Sequence, residues 1–88
     1  MREAASGQVK LSLYEYPSCP FCSLVLRAID DLGVDVELRD VMADAGFRRE
    51  LVEATGRSTV PCLRIESDTG EVEWMHESRD IVAYLQTI

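Results

Sequence analysis

Two cysteines separated by two residues, Cys19 and Cys22 in Tyr16-Pro17-Ser18-Cys19-Pro20-Phe21-Cys22, are the residues of this chain best placed for covalent chemistry. They fall where an alternating apolar stretch gives way to helical spacing, so Cys19 opens a helix and Cys22 lies one turn further on. A thiol at a helix start faces backbone N–H groups without intrahelical acceptors and the positive end of the helix dipole. Both favour the thiolate, the form that attacks disulfides. Cys22 lies on the same face but deeper, where burial keeps a thiol protonated. Cys19 is therefore the expected attacking thiol and Cys22 the resolving one. Pro20 suits the first helical position, where its missing N–H costs little. Metal binding is the rival chemistry, because Cys19, Cys22, Cys62 and, more remotely, His76 are ligand types for a Zn or iron–sulfur site.

The elements that must hold this pair are legible in the apolar pattern. Val9, Leu11 and Leu13 alternate with polar residues, and Tyr14 and Tyr16 extend a strand that stops at Pro17. From Pro20 to Leu32 the spacing turns helical, with Phe21, Val25, Ala28, Ile29 and Leu32 on one face and Gly33 as the stop. Val34, Val36 and Leu38 alternate with Asp35, Glu37 and Arg39, which predicts an edge strand with one buried face. A second helix is predicted from about Ala43 to Ala54, burying Phe47, Leu51 and Val52 and ending at Gly56. Val60 to Glu66 and Val72 to His76 read as a hairpin turning through Glu66-Ser67-Asp68-Thr69-Gly70-Glu71. Ser78 is the predicted N-cap of a last helix that carries Ile81, Val82, Tyr84 and Leu85 inward. The order β-α-β-α-β-β-α predicts an α/β fold, a mixed four-stranded sheet with helices on both faces. Residues 1–8 are expected to form a polar tail and residues 9–88 a single domain.

Composition narrows the function. Eighty-eight residues, nearly half of them apolar, suffice for one small globular core. A net charge of −7, with Lys10 as the only lysine, argues against nucleic acid while allowing a small anion held by local cations. No apolar run approaches the ~20 residues of a membrane span. Met1 to Gln8 lacks the apolar centre of a signal peptide, so a cytoplasmic location is expected. Three cysteines do not make the even-numbered framework of a small secreted scaffold.

With Thr59-Val60-Pro61 forty residues after Cys19, and a last helix opening at Glu77-Ser78, the chain resembles a glutaredoxin over residues 9–88. The resemblance implies the thioredoxin fold and a dithiol oxidoreductase that reduces protein disulfides or glutathione mixed disulfides. Glutathione is then the co-substrate, no metal is required, and a monomer is expected. It further implies that Pro61 is a cis-proline, presenting the Val60 backbone to an extended thiol substrate as an added strand.

The Glu77-Ser78 pair replaces the Gly-Gly usual in glutaredoxins and is similar to the glutathione-binding half of glutathione transferases. By that resemblance Ser78 and the N–H groups after it take the γ-glutamyl carboxylate, and Glu77 takes its ammonium. Ser78 as a plain helix cap is the competing reading. Arg48 and Arg57 are implied for the glycine carboxylate of glutathione, against the alternative of solvated surface charges. Tyr16 stands where many glutaredoxins have Lys, bringing a hydroxyl donor without a charge. With Thr59, Val60 and Pro61 these residues complete the implied glutathione site. Cys62 is either a small buried strand residue or an extra thiol near that site. Two further functions compete: a glutathione-ligated iron–sulfur cluster (or Zn) protein, and a stand-alone glutathione-binding module related to the transferases. Pro20, in place of the Gly of dedicated cluster carriers, speaks against the first. Without the helical domain of the transferases, conjugation activity is not expected.

Overall fold

Alternation along β1 (Val9–Glu15) decides the architecture, because it buries side chains on both of its faces. Leu11 and Leu13 join Val25, Leu63, Ile65, Ile81 and Leu85 on one side, while Tyr14 joins Val41, Leu51 and Cys62 on the other. A strand covered on both faces belongs in the middle of its sheet. The computed structural model describes residues 9–88, so the tail expected over 1–8 lies outside the described residues. After β1 come α1 (Pro20–Leu32), β2 (Glu37–Asp40), α2 (Ala45–Thr55), β3 (Cys62–Ser67), β4 (Val72–Met75) and α3 (Ser78–Leu85). The strands line up as β2-β1-β3-β4; β1 and β2 run parallel and the other pairs antiparallel. Helices α1 and α3 pack together over the first face and α2 over the second, giving the expected mixed sheet with helices on both sides. Among the described residues no helix is long and apolar enough to cross a membrane.

Several boundaries differ from the pattern for reasons visible in the hydrogen bonds. Gly33 ends α1 in the left-handed region at φ 67°, and both its N–H and that of Val34 return to the Ile29 carbonyl. Val34 is thus spent closing the helix, and β2 begins three residues later than predicted. Leu38, expected inside, is 51% exposed because the helices pack over β1 and β3 and leave the β2 edge open. Asp40 Oδ1 accepts the N–H groups of Met42 and Ala43 at 2.8 and 3.0 Å, holding a turn there. The cap of α2 is Asp44, which accepts the Gly46 N–H at 2.8 Å. Only Leu51 of that helix is fully buried; Phe47 is half-buried and Val52 is exposed.

The inward row of α1 is also rotated from the expected one. Cys22 and Val25 are buried, with Leu26 and Ile29 packed alongside, while Phe21 and Leu32 point outward. Ser78 does not cap α3. Glu77 is the N-cap residue, with an extended backbone and no side-chain capping bond, and Ser78 is the first helical residue.

Arg39, predicted to face water, lies instead between two rings, 5.5 Å from the Tyr14 centroid and 5.6 Å from that of Phe47. It donates to the Tyr14 hydroxyl at 2.7 Å, and that hydroxyl donates to Glu50 of α2 at 2.8 Å. This chain of bonds ties α2 to the sheet. Burial, and then the Glu50 carboxylate, push the Tyr14 phenol above its usual range.

Candidate active site

The loop after β1 delivers Cys19 to the start of α1 with its backbone still extended, at φ −83° and ψ 121°. Its N–H bonds back to the Tyr16 carbonyl at 3.1 Å, and its carbonyl accepts the Ser23 N–H at 3.0 Å. Cys19 is therefore the N-cap, and its Sγ accepts the Cys22 N–H at 3.4 Å. Sulfur here does what a Ser or Asp oxygen does at other helix starts. Pro20 occupies the first helical position. Cys19 is 5% exposed and Cys22 fully buried, so the pair keeps its expected order of depth, although Cys19 is more covered than an open nucleophile. Burial is the main cause that pushes the Cys22 thiol up to about 12; an unfavourable interaction with Cys19 adds to it and a backbone contact at Tyr16 opposes it. All three cysteines are free thiols.

An open cleft of about 1020 Å³ borders α1 at Phe21 and Leu24; neither Cys19 nor Cys22 is among its lining residues. Arg57, Thr59, Val60 and Pro61 line it from the loop before β3, and Glu77 and Ser78 from the start of α3. The Val60–Pro61 peptide bond is cis. Because Tyr14 stands opposite Cys62 in the antiparallel register, Pro61 lies at the end of the sheet where β1 runs into the Cys19 loop. Six of the sequence-predicted glutathione residues thus share one cleft. Tyr16 and Arg48 are not among its lining residues; Arg48 projects from the exposed face of α2.

Sequence reasoning missed part of the wall. Phe21 and Leu24 of α1, 60% and 55% exposed, face Val82 and Ala83 of α3 across the cleft. The signal was present, since Phe21 sits a third of a turn round the helix from the buried Cys22. His76 also lines the cleft, with Nε2 3.9 Å from Cys62 Sγ and a buried Nδ1 that has no hydrogen-bond partner among the described residues. Burial, and then the Arg57 guanidinium, hold the His76 imidazole below its ordinary value. Cys62 is fully buried, and burial pushes its thiol up to about 11 despite the nearby Arg57. Among the described residues no three Cys, His, Asp or Glu side chains gather as a metal site would require, so the Cys19–Cys22–Cys62–His76 grouping does not form.

These acidities predict selective labelling. At pH 7.5 fewer than about one in a thousand Cys22 or Cys62 thiols is ionised. Iodoacetamide on the folded, reduced protein should therefore give one adduct, at Cys19, with the other two appearing only in denaturant. Peptide mass mapping checks this, and early labelling of Cys62 would refute it.

A cysteine pair at a helix start, beside a cis-proline loop and over a four-stranded mixed sheet, defines a thiol protein of the thioredoxin-like fold. The glutaredoxin family profile matches residues 11–69, and the chain belongs to that family. Glutaredoxin 3 of Escherichia coli (strain K12) is 26% identical over 57 residues, covering 65% of this chain and 69% of the relative. A trimeric glutathione transferase of Leishmania superposes with a TM-score of 0.71 at 27% identity, over 88% of this chain and 17% of that one. Maleylacetoacetate isomerase from Anaeromyxobacter dehalogenans, solved with glutathione in its active site, gives 0.60 at 25% identity, over 91% of this chain and 38% of that one.

Proposed function

We propose that the protein is a glutathione-dependent thiol–disulfide oxidoreductase acting through Cys19. The observation that carries this reading is Cys19 as a sulfur N-cap, receiving a backbone N–H, at the end of the sheet that also holds the cis-proline loop. The Cys19 thiolate attacks a disulfide sulfur, forming a mixed disulfide and releasing the other sulfur as a thiol once it takes a proton. Either Cys22 or a second glutathione then attacks the Cys19 sulfur and completes the exchange. Family membership and the glutathione-bound isomerase support glutathione as the co-substrate.

In the cleft, the free N–H groups at the start of α3 suit the γ-glutamyl carboxylate, and Glu77 suits its ammonium. Arg57, which lines the cleft together with Arg79, suits the glycine carboxylate, and Thr59, Val60 and Pro61 supply the wall along which an extended thiol lies. Arg48, on the exposed face of α2, stands outside the cleft and has no part in this reading. Location in the cytoplasm and action as a monomer belong to the same reading. The test is glutathione-coupled reduction of a small glutathione mixed disulfide, followed through consumption of reductant. Turnover is expected, and its absence in correctly folded, fully reduced protein would reject the reading.

A further inference from the structure

His76 is the single histidine of the chain, and it stands between the two walls of the cleft. Along the chain it follows β4 directly and precedes Glu77, the residue that opens α3. Across the sheet its Nε2 lies 3.9 Å from Cys62 Sγ, within hydrogen-bonding reach of a sulfur. Cys62 itself follows the cis Val60–Pro61 bond. One side-chain contact therefore links the Thr59–Pro61 wall of the cleft to the Glu77–Ser78 wall. The two residues stand one step beyond the last pair of the β3–β4 ladder, Leu63 opposite Met75. Past that pair the ladder no longer sets the distance between the segments, and a cross-strand side-chain contact takes over.

Neither side chain has other polar work to do. Cys62 is fully buried, so its sulfur is out of reach of a disulfide in the cleft. The buried Nδ1 of His76 has no hydrogen-bond partner among the described residues. An unpaired buried nitrogen is costly, and it leaves Nε2 as the ring atom through which the side chain acts. Burial, and then Arg57, favour the neutral ring, which speaks against an ion pair between His76 and a ligand carboxylate.

We propose that His76 is a positioning residue for the cleft: through Cys62 it fixes the spacing between the cis-proline loop and the start of α3, the span that a glutathione adduct has to bridge. The assignment rests on the oxidoreductase reading above. In that reading the γ-glutamyl end sits at the free N–H groups of α3 while the extended thiol lies along Val60. A ligand gripped at two points binds well only when the distance between them is set beforehand, because widening the site has to be reversed on binding. Neither Cys19 nor Cys22 takes part in the contact, so it governs capture of the substrate and not the exchange at sulfur.

The experiment is steady-state reduction of a glutathionylated peptide at saturating glutathione. His76→Leu keeps the bulk of the ring and loses its nitrogens; its KM should rise about fivefold while kcat holds. His76→Gln, whose amide reaches about as far from the backbone as the ring Nε2, should return KM to within about twofold of the parent. Cys62→Ala should give the same rise as His76→Leu, and the double variant no more than either alone, because one contact is lost in all three. Against L-cystine, too short to bridge both walls, parent and variants should have equal kcat/KM. An unchanged KM, a fall in kcat instead, a Gln variant no better than Leu, additive effects, or an equal loss against L-cystine would each overturn the proposal. Should His76→Leu not fold, Cys62→Ala measures the same contact from its other side. No turnover by the parent protein would reject the oxidoreductase reading itself, so the two failures are distinguishable.

Discussion

Cys19→Ser should lower turnover of a glutathione mixed disulfide by about 10³-fold or more, while Cys22→Ser should retain most of it. A serine hydroxyl ionises far above neutral pH, and one backbone N–H at 3.4 Å cannot close that gap. No other thiol can substitute, because burial holds Cys22 and Cys62 at about 12 and about 11. Loss of Cys22 removes the internal resolving route but leaves a second glutathione free to attack the Cys19 adduct. Reduction of a protein disulfide should therefore suffer far more in Cys22→Ser than reduction of the small mixed disulfide. The coupled assay on both variants decides the roles. Activity surviving in Cys19→Ser, or lost in a folded Cys22→Ser, would mean the two thiols have been assigned wrongly.

Leu13→Ala should be among the most damaging changes to stability, at about 2–5 kcal/mol. Leu13 is fully buried in β1, packed among residues from three other elements, and its neighbours on a central strand cannot collapse freely into the space left behind. A domain of this size has only about 5–15 kcal/mol in total, so the melting temperature should fall by ten degrees or more. Leu38→Ala is the matched control. Leu38 is its partner in the parallel register but stands half exposed on the sheet edge, and truncating it should change stability by no more than about 0.5 kcal/mol. Thermal melts followed by circular dichroism separate the two cases, and equal losses would show that register neighbours share burial, contrary to the structure.

Much of this was legible along the chain. The switch from alternating to helical spacing at Pro17–Pro20 placed Cys19 at a helix start, and a helix start supplies unpaired N–H groups whatever packs around it. The order of elements and the glycine stops at Gly33 and Gly56 were equally local properties. Those features depend on a few neighbouring residues, so the linear pattern determines them. The tertiary structure decided what depends on distant segments. It set which row of α1 turns inward, whether Leu38 is covered, that Arg39 slots between two rings, and that Arg48 stands outside the cleft while His76 stands in it. Glu15 belongs to this second group, since alternation alone cannot say that the last polar residue of a strand will be buried. Burial is set by which helix lies over a strand, and that requires contacts between residues far apart in the chain.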